Sequence, residues 1–417
     1  MDLLIKNVIP VGSGGICDIA VSGGVIKSVG NAPAGFMPDK VIEGGDRLAI
    51  PALVNSHTHA YMTVLRCVAD DLPFADWLFK GVMPREEALT PGQAYWSSLL
   101  GLTEMIRRGC GTFCDMHMFK GASAKAALKL GMRGVIGRGL SGSEGGERRI
   151  NEALAEIEEF KGEKLLNFNL APHAIYTCDE EYLLKISDLA KKRGLPLHIH
   201  LAESEGEYND CLNNHGCTPV EYLAKLGLFE NRTLAAHCVQ LTETDILLLA
   251  GNGVSVAANP KSNLKLGNGI APVARLLKAG VNVCIGTDSA ASNNSLNMFS
   301  ELNYTAMLHK GTELDSTAIP AKTAFGMATV NGAKALSIEN LGRLEPGYKA
   351  DITLVDTEAP QMQPLRDHYA ALCYCCDGSE VDSVMIDGVP VYLHREFTTV
   401  DEEEIRYNVE KIYKEIG

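Results

Sequence analysis

Residues 48–60 read LAIPALVNSHTHA, an apolar run that ends in two histidines one residue apart. In an extended chain residues i and i+2 face the same way, so His57 and His59 point to one side of the strand's end. Short apolar runs closing on polar residues recur down the chain. They read GTFCDM at 111–116, RGVIGRGL at 133–140, LNFNLAPH at 166–173, LPLHIHLAE at 195–203, TLAAHC at 233–238, VSVAAN at 254–259 and VNVCIGTD at 281–288. With LAIPALVNSH they make eight strands. Amphipathic stretches lie between them. In Pro91–Arg108, Tyr95, Leu99, Leu102 and Ile106 share one helical face. Leu183–Arg193 and Thr242–Asn252 behave similarly, with Thr242 and Asp245 forming an N-cap. Eight strand–helix units predict an α/β fold, a (β/α)8 TIM barrel.

The flanks differ. The first fifty residues break into short strands, LLIKNVIPV, CDIAVSGGVIKSVG and VIEGGDRLAI. Gly14-Gly15, Gly23-Gly24 and Gly44-Gly45 suit hairpins between them. ADITLVD at 350–356 and DSVMIDGVPVYL at 382–393 repeat that pattern late in the chain. This predicts a small β-sandwich built from both ends, 1–50 and 344–417, around a barrel at 51–343. A terminal amphipathic helix follows in DEEEIRYNVEKIYKEIG.

Composition narrows the function class. The 38 Lys+Arg against 52 Asp+Glu give a net charge of −14. That balance repels phosphate backbones, so no nucleic acid and no anionic membrane is expected as partner, while a small-molecule nucleoside fits. The opening MDLLIKNVIPVGSGG lacks a basic segment and apolar core of a signal peptide, and no apolar run reaches membrane-span length. A cytoplasmic protein is expected. The 12 cysteines read as reduced, packed thiols. A homo-oligomer is the default expectation at this size.

The histidines carry the strongest signal. His57 and His59 end the first strand, His173 the fourth, His200 the fifth, His237 the sixth, and Asp288 the eighth. A TIM barrel brings all these strand ends to one face. A lone histidine there is commonly a hydrogen-bonded structural residue, but packing has no use for a convergent set of polar rings. Several imidazoles with one carboxylate suit Zn2+, Fe2+ or Mn2+. His198 shares a face with His200 and is read as a buried, hydrogen-bonded ring one layer below. His117, His215, His309, His368 and His394 are read as structural or exposed.

NSHTHA, HIHLAE, AAHC and GTDSAASNN, in this order, resemble the amidohydrolase superfamily, and EPGYKADITLVD is similar to its C-terminal half. PFADWLFKGVMPRE, GMRGVIGRGL, APHAIYTC and NPKSNLKLGNGIAPV resemble its S-adenosylhomocysteine/methylthioadenosine deaminases. The resemblance covers essentially the whole chain. It implies one divalent metal, zinc first, held by His57, His59, His200 and Asp288. It further implies Glu203 as acid/base, His237 beside the attacking water, Glu86 on the ribose hydroxyls and His173 on the adenine. Arg138, with Arg149 or its neighbour Arg148, would meet a homocysteine carboxylate. GGERR has one residue more than the family pattern, and Ser289 stands where that pattern has glycine. Trp77 is a candidate wall of the pocket. Binuclear relatives use a lysine at the end of strand four, and LAPHAIY offers none.

The chemistry accounts for these residue types. Replacing an amino group on C6 with water needs a nucleophile made at neutral pH, which a metal provides by acidifying water. Asp288 can ligate and also accept the water's proton. Breaking the ring's aromaticity needs a proton on N1, and the amine must leave protonated. Glu203, three residues past His200, is placed for both transfers. A plain helix-start carboxylate is the alternative role for Glu203 and for Glu86. Arg138 ends an apolar strand and must meet a carboxylate, from the substrate or from a neighbouring Asp or Glu. The reaction expected is hydrolytic deamination of adenosine derivatives to the inosine form and ammonia. The same metal site on guanine, cytosine, a pterin or a chlorinated triazine is the alternative. A metal-free assembly protein would have lost ligands, and none is missing here.

Overall fold

The computed structural model describes residues 1–142 and 145–416. Eight strands form one sheet in chain order, each parallel to the next. They are β1 Leu53–Thr58, β2 Cys110–His117, β3 Arg133–Leu140, β4 Leu166–Pro172, β5 Leu197–Leu201, β6 Thr233–His237, β7 Ser255–Ala258 and β8 Asn282–Ile285. Every residue of β2 and β3 is buried, which is why these strands read as continuous apolar runs rather than alternating ones. The sheet closes just past β8, where the Asp288 N–H donates to the His57 carbonyl at 2.9 Å. Gly286 permits that approach, because a Cβ there would lie 2.7 Å from the backbone N and O of His57.

The helices start where their caps predict. Thr90 accepts the Gln93 N–H, and the Gln93 side chain accepts that of Thr90, opening the helix Pro91–Arg107. Leu99, Leu102 and Ile106 of this helix are buried against the barrel, and Tyr95 sits half-buried at the edge of that face. Thr242 and Asp245 form the same reciprocal cap on Glu243–Gly251. The terminal helix runs Glu402–Ile416 and buries Ile405 and Ile412.

Both chain ends share a nine-stranded mixed sheet. Its two halves join where Leu48–Pro51 pairs antiparallel with Ile352–Val355. Leu3, Ile5, Ile19, Ile352 and Leu354 belong to one core there. The TIM barrel with a β-module from both ends is thus the observed architecture. Two local expectations change. LAIPALVNSH is two strands, because the chain leaves the end sheet at Pro51 and enters the barrel at Leu53. Gly44-Gly45 is no hairpin: Lys40–Glu43 and Leu48–Pro51 both run parallel to Asp2–Pro10. Gly44 is needed for close approach instead, since a Cβ there would meet Val8 Cγ1 at 2.2 Å and Lys6 O at 2.6 Å.

The twelve cysteines are free. Among the described residues no helix is long and apolar enough to cross a membrane. Arg133, at the start of β3, is buried and donates through Nε and Nη2 to both oxygens of Asp351, at 2.8 and 2.9 Å. This forked pair ties the barrel to the end sheet.

Candidate metal centre and active site

The C-terminal ends of β1, β5, β6 and β8 bring four imidazoles and a carboxylate together. His57, His59 and Asp288 can offer one donor atom each within 4.8 Å of one another, as can His57, His200 and His237. Asp288 Oδ1 lies 3.4 Å from Nε2 of both His57 and His59. Asp288 Oδ2 accepts the hydroxyls of Ser262 at 2.5 Å and Ser292 at 2.8 Å. This leaves Oδ1 to face the cluster.

The hydrogen-bond partners assign the tautomers. His59 Nδ1 donates to the Met116 carbonyl at 2.6 Å, and His200 Nδ1 to the His173 carbonyl at 2.7 Å. Their Nε2 atoms, 3.2 Å apart, therefore face each other with bare lone pairs. His57 Nε2 is buried and has no hydrogen-bond partner. Burial lowers the His57 ring to about 4 and holds His200 and His198 well below the usual imidazole range. Although burial pushes the Asp288 carboxyl up, its close contacts with the His57, His237 and His59 rings outweigh this and hold it well below its ordinary value. Neutral nitrogens with converging lone pairs beside an ionised carboxylate fit a divalent cation, and the site supports one such metal.

His198 lies below, as its position on the strand predicts: Nε2 is 2.9 Å from His57 Nδ1, and Nδ1 is 3.6 Å from Cys114 Sγ. His237 Nδ1 donates to Asn263 Oδ1 at 2.8 Å, and its Nε2 lies 3.8 Å from Glu203 Oε2. His237 and Asp288 sit in the left-handed backbone region, at φ 74° and 60°. Such strain at two strand ends marks positions held by their surroundings.

Glu203 is buried, and its Oε1 accepts from Asn268 Nδ2 at 3.1 Å. Burial, with the Asp288 charge adding to it, pushes this carboxyl well above its ordinary range. Glu207 holds the turn that presents it. Its two oxygens accept the N–H groups of Ala202 at 3.0 Å and Glu203 at 2.8 Å, where Ala202 has φ 50°.

A cavity of about 110 Å³ opens over the cluster. His59, His200, Glu203, His237 and Asp288 line it, as do Trp77, Glu86 and His173. Trp77 donates to the Ala291 carbonyl at 3.4 Å and stacks near Phe74. Glu86 accepts the Tyr61 hydroxyl, and burial raises its carboxyl. Burial lowers the His173 ring to about 3, so it is neutral, with Nδ1 3.0 Å from Thr177 Oγ1. Ser289 lines the cavity while capping the turn Ala290–Asn293.

The arginines stand further back. Arg138 is buried and does not line the cavity. Its Nη1 is 3.1 Å from Sδ of Met118, which does. The carboxylate it meets in this structure is that of Glu152. Arg148 is exposed and also bonds Glu152, at 3.1 Å. Arg149 instead reaches the carbonyl of Ser141, a cavity-lining residue, at 3.3 Å.

Residues 48–391 match the profile of the Amidohydrolase family. The chain belongs to the amidohydrolase family. Relatives of this amidohydrolase include the 5-methylthioadenosine/S-adenosylhomocysteine deaminase of Caldanaerobacter subterraneus subsp. tengcongensis, 44% identical over 99% of this chain and 98% of that protein. The protein of the same name from Moorella thermoacetica is 45% identical, covering 93% and 91%. Among solved structures, a zinc-bound adenosine deaminase from Xanthomonas campestris matches with a TM-score of 0.95 and 34% identity, over 100% of this chain and 98% of that one. A metal-dependent aminohydrolase on a TIM barrel is the class these findings establish.

Tyr61, Glu207, Ser262, Asn263, Asn268 and Ser292 also support the site, beyond the residues that the sequence singles out. Ser262, Asn263 and Asn268 lie within NPKSNLKLGN, just after β7, where a strand end of the barrel delivers them to the same face. For Tyr61 and Glu207 the contacts are set by turns that no periodicity announces.

Proposed function

We propose that this amidohydrolase removes the 6-amino group of adenosine derivatives, S-adenosylhomocysteine, 5′-methylthioadenosine or 5′-deoxyadenosine, giving the inosine form and ammonia. The observation that carries the reading is Glu203. It is a buried carboxyl, 3.8 Å from His237, in a cavity shared with His200, Asp288, Glu86 and His173, and its burial favours the acid form. The names of the deaminase relatives support the same chemistry.

A divalent ion held by His57, His59, His200 and Asp288, with zinc proposed, would supply Lewis acidity and a more acidic water. Glu203 donates its proton to ring N1, which lets C6 accept the incoming oxygen; as a carboxylate it then takes the remaining hydroxyl proton of that oxygen and hands it to the departing amine, and the proton held by Asp288 restores Glu203 as ammonia leaves. His237, its Nδ1–H fixed on Asn263, directs Nε2 at the incoming oxygen. Asp288 accepts that water's proton. Trp77 shields the ring from bulk water, and His173 hydrogen-bonds its edge. Glu86, oriented by Tyr61, accepts from the ribose hydroxyls, a contact that a bare base or triazine would leave unused. Arg138 and Arg149 would attract a carboxylate on the 5′ arm.

Ammonia release from the zinc-loaded protein should be measured with the three proposed substrates, adenosine, guanine and cytosine. Turnover concentrated on the adenosine derivatives is expected. Turnover of guanine or cytosine without the nucleosides would overturn the assignment.

A further inference from the structure

The helix Gly146–Glu159 packs on β3 and carries Arg148, Arg149 and Glu152. Two Arg138 nitrogens, Nε and Nη2, both donate to Glu152 Oε2, at 3.2 and 3.1 Å, and Nη1 donates to the Gly139 carbonyl at 2.9 Å. The forked edge of the guanidinium, the one a planar carboxylate prefers, is thus occupied by the protein's own carboxylate. The other Glu152 oxygen accepts from Arg148, one helical turn earlier. The helix is anchored independently. Glu156 pairs with the buried His117 at 2.9 Å and also accepts the Gly121 N–H, so the framework sets where Glu152 meets Arg138.

We propose that Glu152 is a built-in surrogate for a substrate carboxylate and sets the selectivity between charged and neutral 5′ substituents. This inference rests on the adenosine-derivative reading above. Arg138 is 5% exposed, and a guanidinium at that depth is costly without an anion. A substrate with a neutral 5′ group leaves the Glu152 pair in place. A substrate bearing a carboxylate must displace Glu152, which competes intramolecularly at high effective concentration. Arg148, 68% exposed at its side chain, gives the displaced Glu152 a second cation, so the exchange strands no charge.

The test compares kcat/KM for S-adenosylhomocysteine and methylthioadenosine in zinc-loaded wild type, Glu152→Gln, Arg148→Gln and the double variant, with thermal melts confirming folding. An amide of the same shape bonds a guanidinium more weakly than a carboxylate does. The homocysteine-to-methylthio ratio should therefore rise about tenfold in Glu152→Gln. Glu152→Asp, with a shorter reach, should raise it in the same direction. Arg148→Gln should lower the ratio, and should add nothing in the Glu152→Gln background. A ratio unchanged or lowered by Glu152→Gln overturns the proposal. So does an Arg148→Gln loss that persists in the double variant, which would mean Arg148 meets the substrate itself. Wild-type protein that turns over neither nucleoside would overturn the deamination reading, a failure distinct from either of these.

Discussion

His198 Nε2 sits 2.9 Å from Nδ1 of His57, and together the two rings form a relay from Cys114 to the centre of the donor cluster. With His57 Nε2 keeping its lone pair, Nδ1–H must donate downward to His198. Partners of this kind fix a ligand's tautomer and orientation. Replacing His198 with Phe should weaken metal binding about 10- to 100-fold, the usual cost of losing such a partner. His198→Gln, which keeps an acceptor, should recover part of the loss. Competition against a chelator reads both, and unchanged affinity in His198→Phe would dismiss the relay.

Glu203→Gln should lower kcat about 10²- to 10⁴-fold, the range for a lost proton-transfer group. Metal content should stay at the wild-type level, since Glu203 belongs to neither donor group. Metal analysis beside steady-state kinetics separates the two effects. Full activity in the amide variant would remove Glu203 from the proposed mechanism.

Glu301 gives a stability prediction with a definite sign. It is fully buried and accepts from Asn293 at 2.7 Å and from the Lys261 N–H at 3.2 Å. Burial outweighs those bonds and raises its carboxyl from 4.5 to about 7. Between these values the folded state binds more protons than the unfolded one, so stability falls as pH rises through that window. The loss amounts to about 3 kcal/mol. Urea unfolding at pH 5 and pH 8 should show this slope in wild type and a smaller one in Glu301→Gln. Equal slopes in the two would contradict it.

Arg133→Met should cost about 3–5 kcal/mol, because it leaves Asp351 buried and without its cation. Arg133→Met with Asp351→Asn should recover most of that loss, since the amide oxygen can still accept the Asp387 N–H that Asp351 now takes. Denaturant midpoints of the three proteins decide it. A double variant no better than the single would show that the fork, rather than the stranded charge, stabilises the junction.

The barrel and its donor cluster were legible because strand direction alone sends His57, His59, His200, His237 and Asp288 to one face. The eight runs marked the strands without help from long-range contacts. What stayed hidden depends on turns and on pairings across the chain. Glu207 works through two backbone N–H groups in a left-handed turn, and nothing in its spacing separates it from a solvated helix acid. Arg138 was readable as a cation in need of a carboxylate, but Glu152 lies on the next helix, and only the folded chain shows that it gets there first. The break at Ala52 was equally silent, since both strands it separates are apolar.

The hydrogen bond from Asp288 to His57 closes the barrel at the place where the donors meet. Thr58 Oγ1 bonds the Asp288 carbonyl across the same gap, between residues 230 positions apart in the chain. A chain that has formed seven strands therefore owns the four histidines of the cluster but not the carboxylate that completes them. Contacts this distant in sequence are among the last to be rewarded during folding. Catalytic competence then serves as a certificate of completed assembly: a chain that stops before the eighth strand lacks the carboxylate on which the cluster closes.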